Sequence, residues 1–238
     1  MTRLSVNINK FATIRNARGG NNPDLINIAK DCESFGAQGI TVHPRPDERH
    51  IRYNDVFELK EVVNTEFNIE GFPDQRYLDI IAKVKPTQAT IVPDKPDALT
   101  SNAGWDIKSN YSMLSEVIME MNKHVQRVSI FVDPDVTQVE AAAKVGASRI
   151  ELYTEPFASN FNDNKFEAIN PYIRASEVAK TIGLAVNAGH DLNLENLHFL
   201  HNHIVDLAEV SIGHALVCDA LYYGLENTIQ LYLRELSR

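Results

Sequence analysis

Two cysteines, one tryptophan and no long apolar run are the first constraints on this chain. Cys32 and Cys218 cannot build a disulfide framework or a cysteine-based zinc site, and both fall on helical faces that read as core. No stretch approaches the ~20 apolar residues that a membrane helix needs. Residues 1–10 lack the apolar segment of a secretion signal, so a cytoplasmic location is the default expectation. Basic charge is scarce as well: 23 Lys and Arg stand against 32 Asp and Glu, and the net charge of −9 argues against general nucleic-acid binding. The same deficit sets a condition. A phosphate-bearing substrate would be repelled by the global field, so local cations and backbone N–H groups must hold it. Gly-x-x-x-x-Gly-Lys and Gly-x-Gly-x-x-Gly loops are missing too, which removes the usual nucleotide fingerprints.

What the chain does contain is a series of eight short apolar runs, most of them ending in a residue that can do chemistry. Leu4–Ile8 holds Asn7 and is followed by Asn9, Gly39–Val42 by His43, Phe67–Ile69 by Glu70, and Ala89–Val92 by Pro93 and Asp94. Val128–Val132 leads to Asp133, Arg149–Tyr153 carries Glu151, Leu184–Ala188 leads to Gly189 and His190, and Val205–Ile212 to Gly213 and His214. Helical patterns lie between the runs: Asp24–Phe35, Asn54–Val63, Asp74–Val84, Asn110–Asn122, Asp135–Val145, a helix entered at Asn170-Pro171 and running to Ile182, Leu194–Asn202, and a long His214–Leu236 broken near Gly224. Eight strands alternating with helices predict a (β/α)8 TIM barrel of parallel strands with outer helices. With no linker or low-complexity segment, residues 1–238 read as one barrel domain, close to the ~250 residues typical of that fold. Chemistry in such a barrel gathers at the C-terminal ends of the strands.

Each candidate has a plain reading beside the chemical one. Residues 6–19 read as a strand followed by a βα loop, in which Arg18 is either solvated or grips an anion with its forked donors. His43 is followed by Arg45, Arg49 and His50, a cluster that favours an anion site over a surface ion-pair network with Asp47 and Glu48. Glu70 would sit on the inner rim, where burial perturbs a carboxyl and suits it to general-base work; a structural ion pair is the equal alternative. Glu151 reads as structural or orienting. Asn187-Ala188-Gly189-His190-Asp191 ends strand seven with a glycine that lets backbone approach a ligand, and His190 projects into the mouth. Ser211-Ile212-Gly213-His214-Ala215 sets a glycine before a helix start, where free N–H groups bind phosphate; a simple helix-start glycine is the alternative. His198, His201 and His203 fall on an outer helix and its exit, without nearby carboxylates, and read as a packed or solvated cluster rather than a metal site.

Taken together, six strings resemble the pyridoxine 5′-phosphate synthase family: Val-Asn-Ile-x-x-x-Ala-Thr-x-Arg-Asn-Ala-Arg-Gly at 6–19, Gly-Ile-Thr-Val-His at 39–43, Arg-His-Ile at 49–51, Val-Pro-Asp-Lys-Pro at 92–96, Val-Asn-Ala-Gly-His at 186–190 and Ile-Gly-His-Ala at 212–215. The resemblance spans nearly the whole chain. It implies a cofactor-free condensation of 3-amino-2-oxopropyl phosphate with 1-deoxy-D-xylulose 5-phosphate to pyridoxine 5′-phosphate, inorganic phosphate and water. It implies an octamer, with small phosphorylated substrates as the only partners besides other copies of the chain. By the resemblance, His43 and Glu70 accept protons and His190 donates one. Asn7, Arg18, Asp191 and Gly213-His214 match contacts to the aminoketone phosphate, and Arg45, His50 and Thr100 match contacts to the deoxyxylulose phosphate. Asn9-Lys10 replaces the Asp-His of many members, with Lys10 keeping a cation near a phosphate. Asp191 replaces a glycine, so its contact would come through the backbone N–H. An aldolase or lyase using Lys10 as a Schiff-base nucleophile is the alternative enzyme, and a non-catalytic phosphate sensor the third reading. The polar Asp94–Asp106 segment is the expected lid.

Overall fold

The computed structural model describes residues 1–94 and 102–237, and in it the eight parallel strands close on themselves in sequence order. They are β1 Arg3–Asn7, β2 Gly39–Val42, β3 Glu66–Gly71, β4 Gln88–Ile91, β5 Arg127–Val132, β6 Arg149–Tyr153, β7 Ala185–Gly189 and β8 Leu207–Ile212. β8 returns to β1 with Arg3 opposite Glu209 and Val6 opposite Ile212, so no sheet edge is left. The helices are α1 Asn9–Arg18, α2 Leu25–Ser34, α3 Tyr53–Lys60, α4 Gln75–Val84, α5 Tyr111–Met121, α6 Val136–Lys144, α7 Glu155–Thr181, α8 Leu197–His203, α9 His214–Tyr223 and α10 Leu225–Glu235. Acidic caps start several of them: Asp24 accepts from the N–H groups of Ile26 and Asn27, Asp74 from Tyr77 and Asp135 from Thr137.

Period-two alternation divides each strand between two environments. Leu4, Val6, Ile40, Val42, Ile69, Ile91, Ile130, Leu152 and Val210 are fully buried and belong to the one large apolar core that also takes in the helices. The alternate residues point into the lumen, and below the mouth, where Phe131 lines the cavity, most of them are polar. Ser5 Oγ lies 2.7 Å from Thr41 Oγ1, Asn68 donates to Thr41 Oγ1 at 3.3 Å, and Thr90 donates to Asn68 Oδ1 at 3.0 Å. Lower down, Arg149 donates to Gln88 at 3.0 Å and Asn187 at 3.2 Å, and Gln88 reaches across the lumen to Glu209 at 3.4 Å. Bulky branched side chains usually fill such a barrel; here buried hydrogen bonds take their place.

Three expectations need correction. The segment after β1 is the helix α1, not a loop. Arg15 occupies its buried face, 2% exposed, and its guanidinium makes paired bonds of 2.7 and 2.8 Å to Asp55. Phe11 and Ala12 share that buried face, but an ion-paired arginine one turn on cuts the apolar stripe too short to read as a helix. The sixth connection is helical from Glu155, with Pro156 in its first turn and Pro171 inside it; the break falls at Asn164 (φ −155°, ψ 78°), whose side chain accepts from the Glu167 N–H at 3.3 Å. Cys32 is buried as expected, but Cys218 is only half-buried, 3.7 Å from His214 Nε2. The break at Gly224, between α9 and α10, lies where the sequence put it.

Candidate active site

The C-terminal ends of the strands open onto a cavity of about 630 Å³. Its wall collects Asn7 from β1, Asn9 and Lys10 from α1, His43, Arg45, Arg49 and His50 from the β2–α3 loop, Glu70 from β3, Glu151 from β6, His190 and Asp191 after β7, and Gly213-His214 where β8 passes into α9.

On the floor, His43 Nδ1 stands 3.8 Å from Glu70 Oε2. The His43 backbone N–H donates to Asn9 Oδ1 at 2.9 Å, and the Asn9 N–H donates to Asn7 Oδ1 at 3.1 Å, so two amide side chains fix where the imidazole begins. Burial, and then the Arg45 cation, hold His43 well below the ordinary imidazole range. It is therefore a neutral imidazole at physiological pH, able to take a proton. His50 accepts the Ile51 N–H at Nδ1 (2.9 Å), and burial followed by the charge of Arg45 pushes it down to about 4. Glu70 is pushed up to about 8 by burial, with Asp94 raising it further and Arg45 opposing. Glu151 is raised well above the carboxylate range by burial and then by Glu70. Room for Glu151 depends on Gly189, because a Cβ there would sit 2.5 Å from Glu151 Oε1.

Two regions suit anions. On one side Arg45, buried and paired with Asp94 at 2.7 Å, stands with His50 and Arg49. Opposite, α9 begins at Gly213 with no side-chain cap, so its first N–H groups face the cavity together with the Ser211 hydroxyl, which is buried and has no hydrogen-bond partner among the described residues. A Cβ at Gly213 would lie 3.1 Å from Asn7 Cβ, tight enough to disturb this junction.

A family model described as "Pyridoxal phosphate biosynthesis protein PdxJ" matches residues 4–238. The chain belongs to this family. A protein of Cytophaga hutchinsonii named pyridoxine 5′-phosphate synthase is 63% identical over 238 residues, covering 100% of both chains. Another of that name, from Parabacteroides distasonis, is 61% identical over 232 residues, 98% of each. Among solved structures, a thiamine phosphate pyrophosphorylase from Pyrococcus furiosus superposes with a TM-score of 0.62 at 10% identity, over 99% of this chain and 95% of the other. A phosphoribosyl anthranilate isomerase from Thermus thermophilus gives 0.59 at 11%, over 99% and 98%. These last two likenesses concern the barrel fold alone.

Of the residues to which the family resemblance gave a catalytic or substrate-binding role, all but two line the cavity. Arg18 is exposed at the far end of α1, outside the lining, and Thr100 lies outside the described residues, as does most of the expected lid. Asn9 is engaged with the His43 backbone rather than held out to a ligand. Lys10 is exposed at the rim, whereas the floor of the cavity belongs to His43 and Glu70. Glu151, read from sequence as structural or orienting, lies in the wall of the same cavity as Glu70, whose charge helps to raise its carboxyl. Asp94, marked in the sequence only as the end of the fourth run and the start of the expected lid, is the buried partner of Arg45; Ser211, quoted there without a role, lines the cavity, as alternation from Glu209 indicates. The three outer-helix histidines are engaged separately: His201 with Thr2 at 3.1 Å, His203 against the Phe199 ring at 4.1 Å, His198 with the Glu235 carbonyl at 3.3 Å. No group of three metal-ligating side chains occurs among the described residues.

Proposed function

We propose that this member of the family closes the pyridoxine ring with His43, Glu70 and His190 as its proton carriers and with two anion grips that hold its two phosphorylated substrates. The chain is a pyridoxine 5′-phosphate synthase, an enzyme of vitamin B6 biosynthesis. Its reaction condenses 3-amino-2-oxopropyl phosphate with 1-deoxy-D-xylulose 5-phosphate and releases inorganic phosphate and water. Amine attack on a ketone, loss of water, phosphate elimination and ring closure are mostly proton transfers, so acid/base side chains are the catalysts this chemistry asks for.

The observation that carries the reading is the His43–Glu70 pair. An imidazole kept neutral by burial and neighbouring cations has its lone pair available at physiological pH, and as a weak base it passes on readily any proton it takes. A carboxyl moved to about 8 both takes and returns one near physiological pH. Standing 3.8 Å apart, they act on the same substrate atoms. Arg45 and His50 take the deoxyxylulose phosphate. Asn7, the N–H groups of Gly213 and His214, and the backbone of Asp191 take the aminoketone phosphate, with Lys10 adding a cation at the rim. His190, across the cavity, supplies the proton that a departing oxygen needs. Glu151 holds its proton and bonds to developing negative charge. The assembly in this reading is a homo-octamer in the cytoplasm; a monomeric mass by analytical ultracentrifugation would contradict that part.

The test is a direct assay with both phosphorylated substrates, following pyridoxine 5′-phosphate by mass and released phosphate. Product that requires both substrates is expected, and it survives a metal chelator. Binding of either substrate without product would overturn the reading in favour of a sensor.

A further inference from the structure

His190 and Asp191 are consecutive residues, and both have left-handed backbones, with φ of 90° and 59°. That region is costly for a side chain larger than glycine, and aspartate is among the residues that tolerate it best. Two features hold the segment there. The Thr154 hydroxyl, on a fully buried side chain, lies 2.8 Å from the Gly189 carbonyl and 2.5 Å from that of His190, and the Thr154 N–H donates to Gly189 at 3.0 Å. Asn196 then donates to the Asp191 carbonyl at 3.2 Å. In this backbone the Asp191 carboxylate turns back on its neighbour, and Oδ2 lies 2.6 Å from His190 Nδ1. The Tyr153 ring meets the same imidazole edge-on, at 5.1 Å between centroids and 81° between planes. The ring of His190 is thus fixed on two sides.

We infer that Asp191 is a positioning residue: its carboxylate accepts the Nδ1 proton of His190, fixes the tautomer and plane of the imidazole, and assigns proton delivery to Nε2. The inference rests on His190 being the proton donor of the reaction proposed above. A carboxylate can only accept, so Nδ1 must carry hydrogen whenever the pair is made. The step follows from that. The donor form is the imidazolium, with hydrogen on both nitrogens: as a C–O bond of the intermediate breaks, the departing oxygen takes the bonding pair and the proton on Nε2. The imidazole is left neutral with its Nδ1 proton still directed at Asp191. The next proton from solvent returns to Nε2. The negative charge of Asp191, which faces a phosphate-binding region, is spent on the imidazole, and the bond from His190 is the largest of the influences holding its carboxyl below the usual range, with His214 contributing further.

The experiment compares wild type with Asp191→Asn, Asp191→Gly, His190→Gln and the His190→Gln/Asp191→Gly double variant. Steady-state kinetics are combined with ¹⁵N spectra of histidine-labelled protein. Glycine relaxes the backbone at φ 59°, so loss of folding does not cloud the result. Asp191→Gly is expected to lower kcat by up to about a hundredfold, the size of effect that misplacing a reacting group produces. The KM for the aminoketone phosphate should stay level or fall. Asn, which can still accept the Nδ1 hydrogen, should recover most of kcat. The double variant should be no slower than His190→Gln alone. The spectrum of the wild type should show the Nδ1–H form of His190, and that of Asp191→Gly should lose it. Unchanged kcat in Asp191→Gly, an equal loss in the His190→Gln background, or an Nε2–H tautomer in the wild type would each overturn the inference. Failure of the proposed reaction itself shows separately, as absence of product from the wild type; the tautomer measurement does not depend on turnover.

Discussion

Glu66 and Glu70 lie on the same strand, four residues apart, with both side chains in the barrel lumen, and they have opposite surroundings. Glu66, near the strand's start, is met by Arg3 at 2.8 Å, Arg127 at 2.9 Å and Arg149 at 3.5 Å. Glu70, near its end, faces His43 at 3.8 Å and the like charge of Asp94, and is pushed up to about 8. Both are short on water. What differs is the company, and company decides whether a buried carboxyl is mortar or a proton carrier. Between them, Glu209 accepts at Oε1 from Gln88 (3.4 Å) and Asn187 (3.3 Å), while its Oε2 is buried with no hydrogen-bond partner among the described residues; it too is pushed up to about 8, chiefly by burial.

The comparison can be broken most sharply at its upper end. Glu70→Gln keeps shape and hydrogen bonding but cannot carry a proton, and kcat should fall by about 10²–10⁴, the usual worth of one positioned acid or base. Steady-state product formation checks it. At the lower end, Glu66→Ala leaves buried guanidinium charge uncompensated, Arg149 foremost. It should cost about 3 kcal/mol, or roughly 6–12 °C in Tm for a chain of this size, with turnover per folded molecule preserved. Calorimetry alongside the activity assay decides. Gly189→Ala probes the mouth by crowding, since its Cβ would displace the Glu151 carboxyl; a fall in kcat of roughly tenfold or more is expected, with little change in Tm.

The smallest effect concerns pH. A carboxyl raised from its ordinary 4.5 to about 8 holds in the folded state a proton that the unfolded chain releases, so stability falls as pH rises through that window. Glu209→Gln removes that share of the slope. Its stability relative to wild type should grow by about 1–2 kcal/mol between about pH 5 and about pH 8, after allowance for coupling to Glu66, Glu151 and Arg149. Parallel denaturation curves across that range would show that Glu209 does not titrate there.

The alternation of apolar runs with helical patterns made the barrel legible, because the outward face of each strand carries the apolar side chains, as Ile40, Ile69 and Val210 show. Strand ends then pointed to His43, Glu70, His190 and Gly213. The polar lumen was harder to see. Arg149, Gln88 and Glu209 are separated by long stretches of sequence, and only closure of the barrel brings them within hydrogen-bonding distance. Arg15 hid α1 for a related reason: its burial is made tolerable by Asp55, forty residues further on. The bond between Asp191 and His190 joins adjacent residues, but it exists only because both have left-handed backbones, which no hydrophobic pattern signals.

The most direct test of the central contrast measures product formation and Tm on the same preparations of wild type, Glu70→Gln and Glu66→Gln. The account predicts that Glu70→Gln melts with the wild type and turns over slowly, while Glu66→Gln melts early and, below its transition, turns over normally. Wild-type turnover in Glu70→Gln would contradict it, because the mouth carboxyl would then be no more a proton carrier than the ion-paired glutamate four residues below.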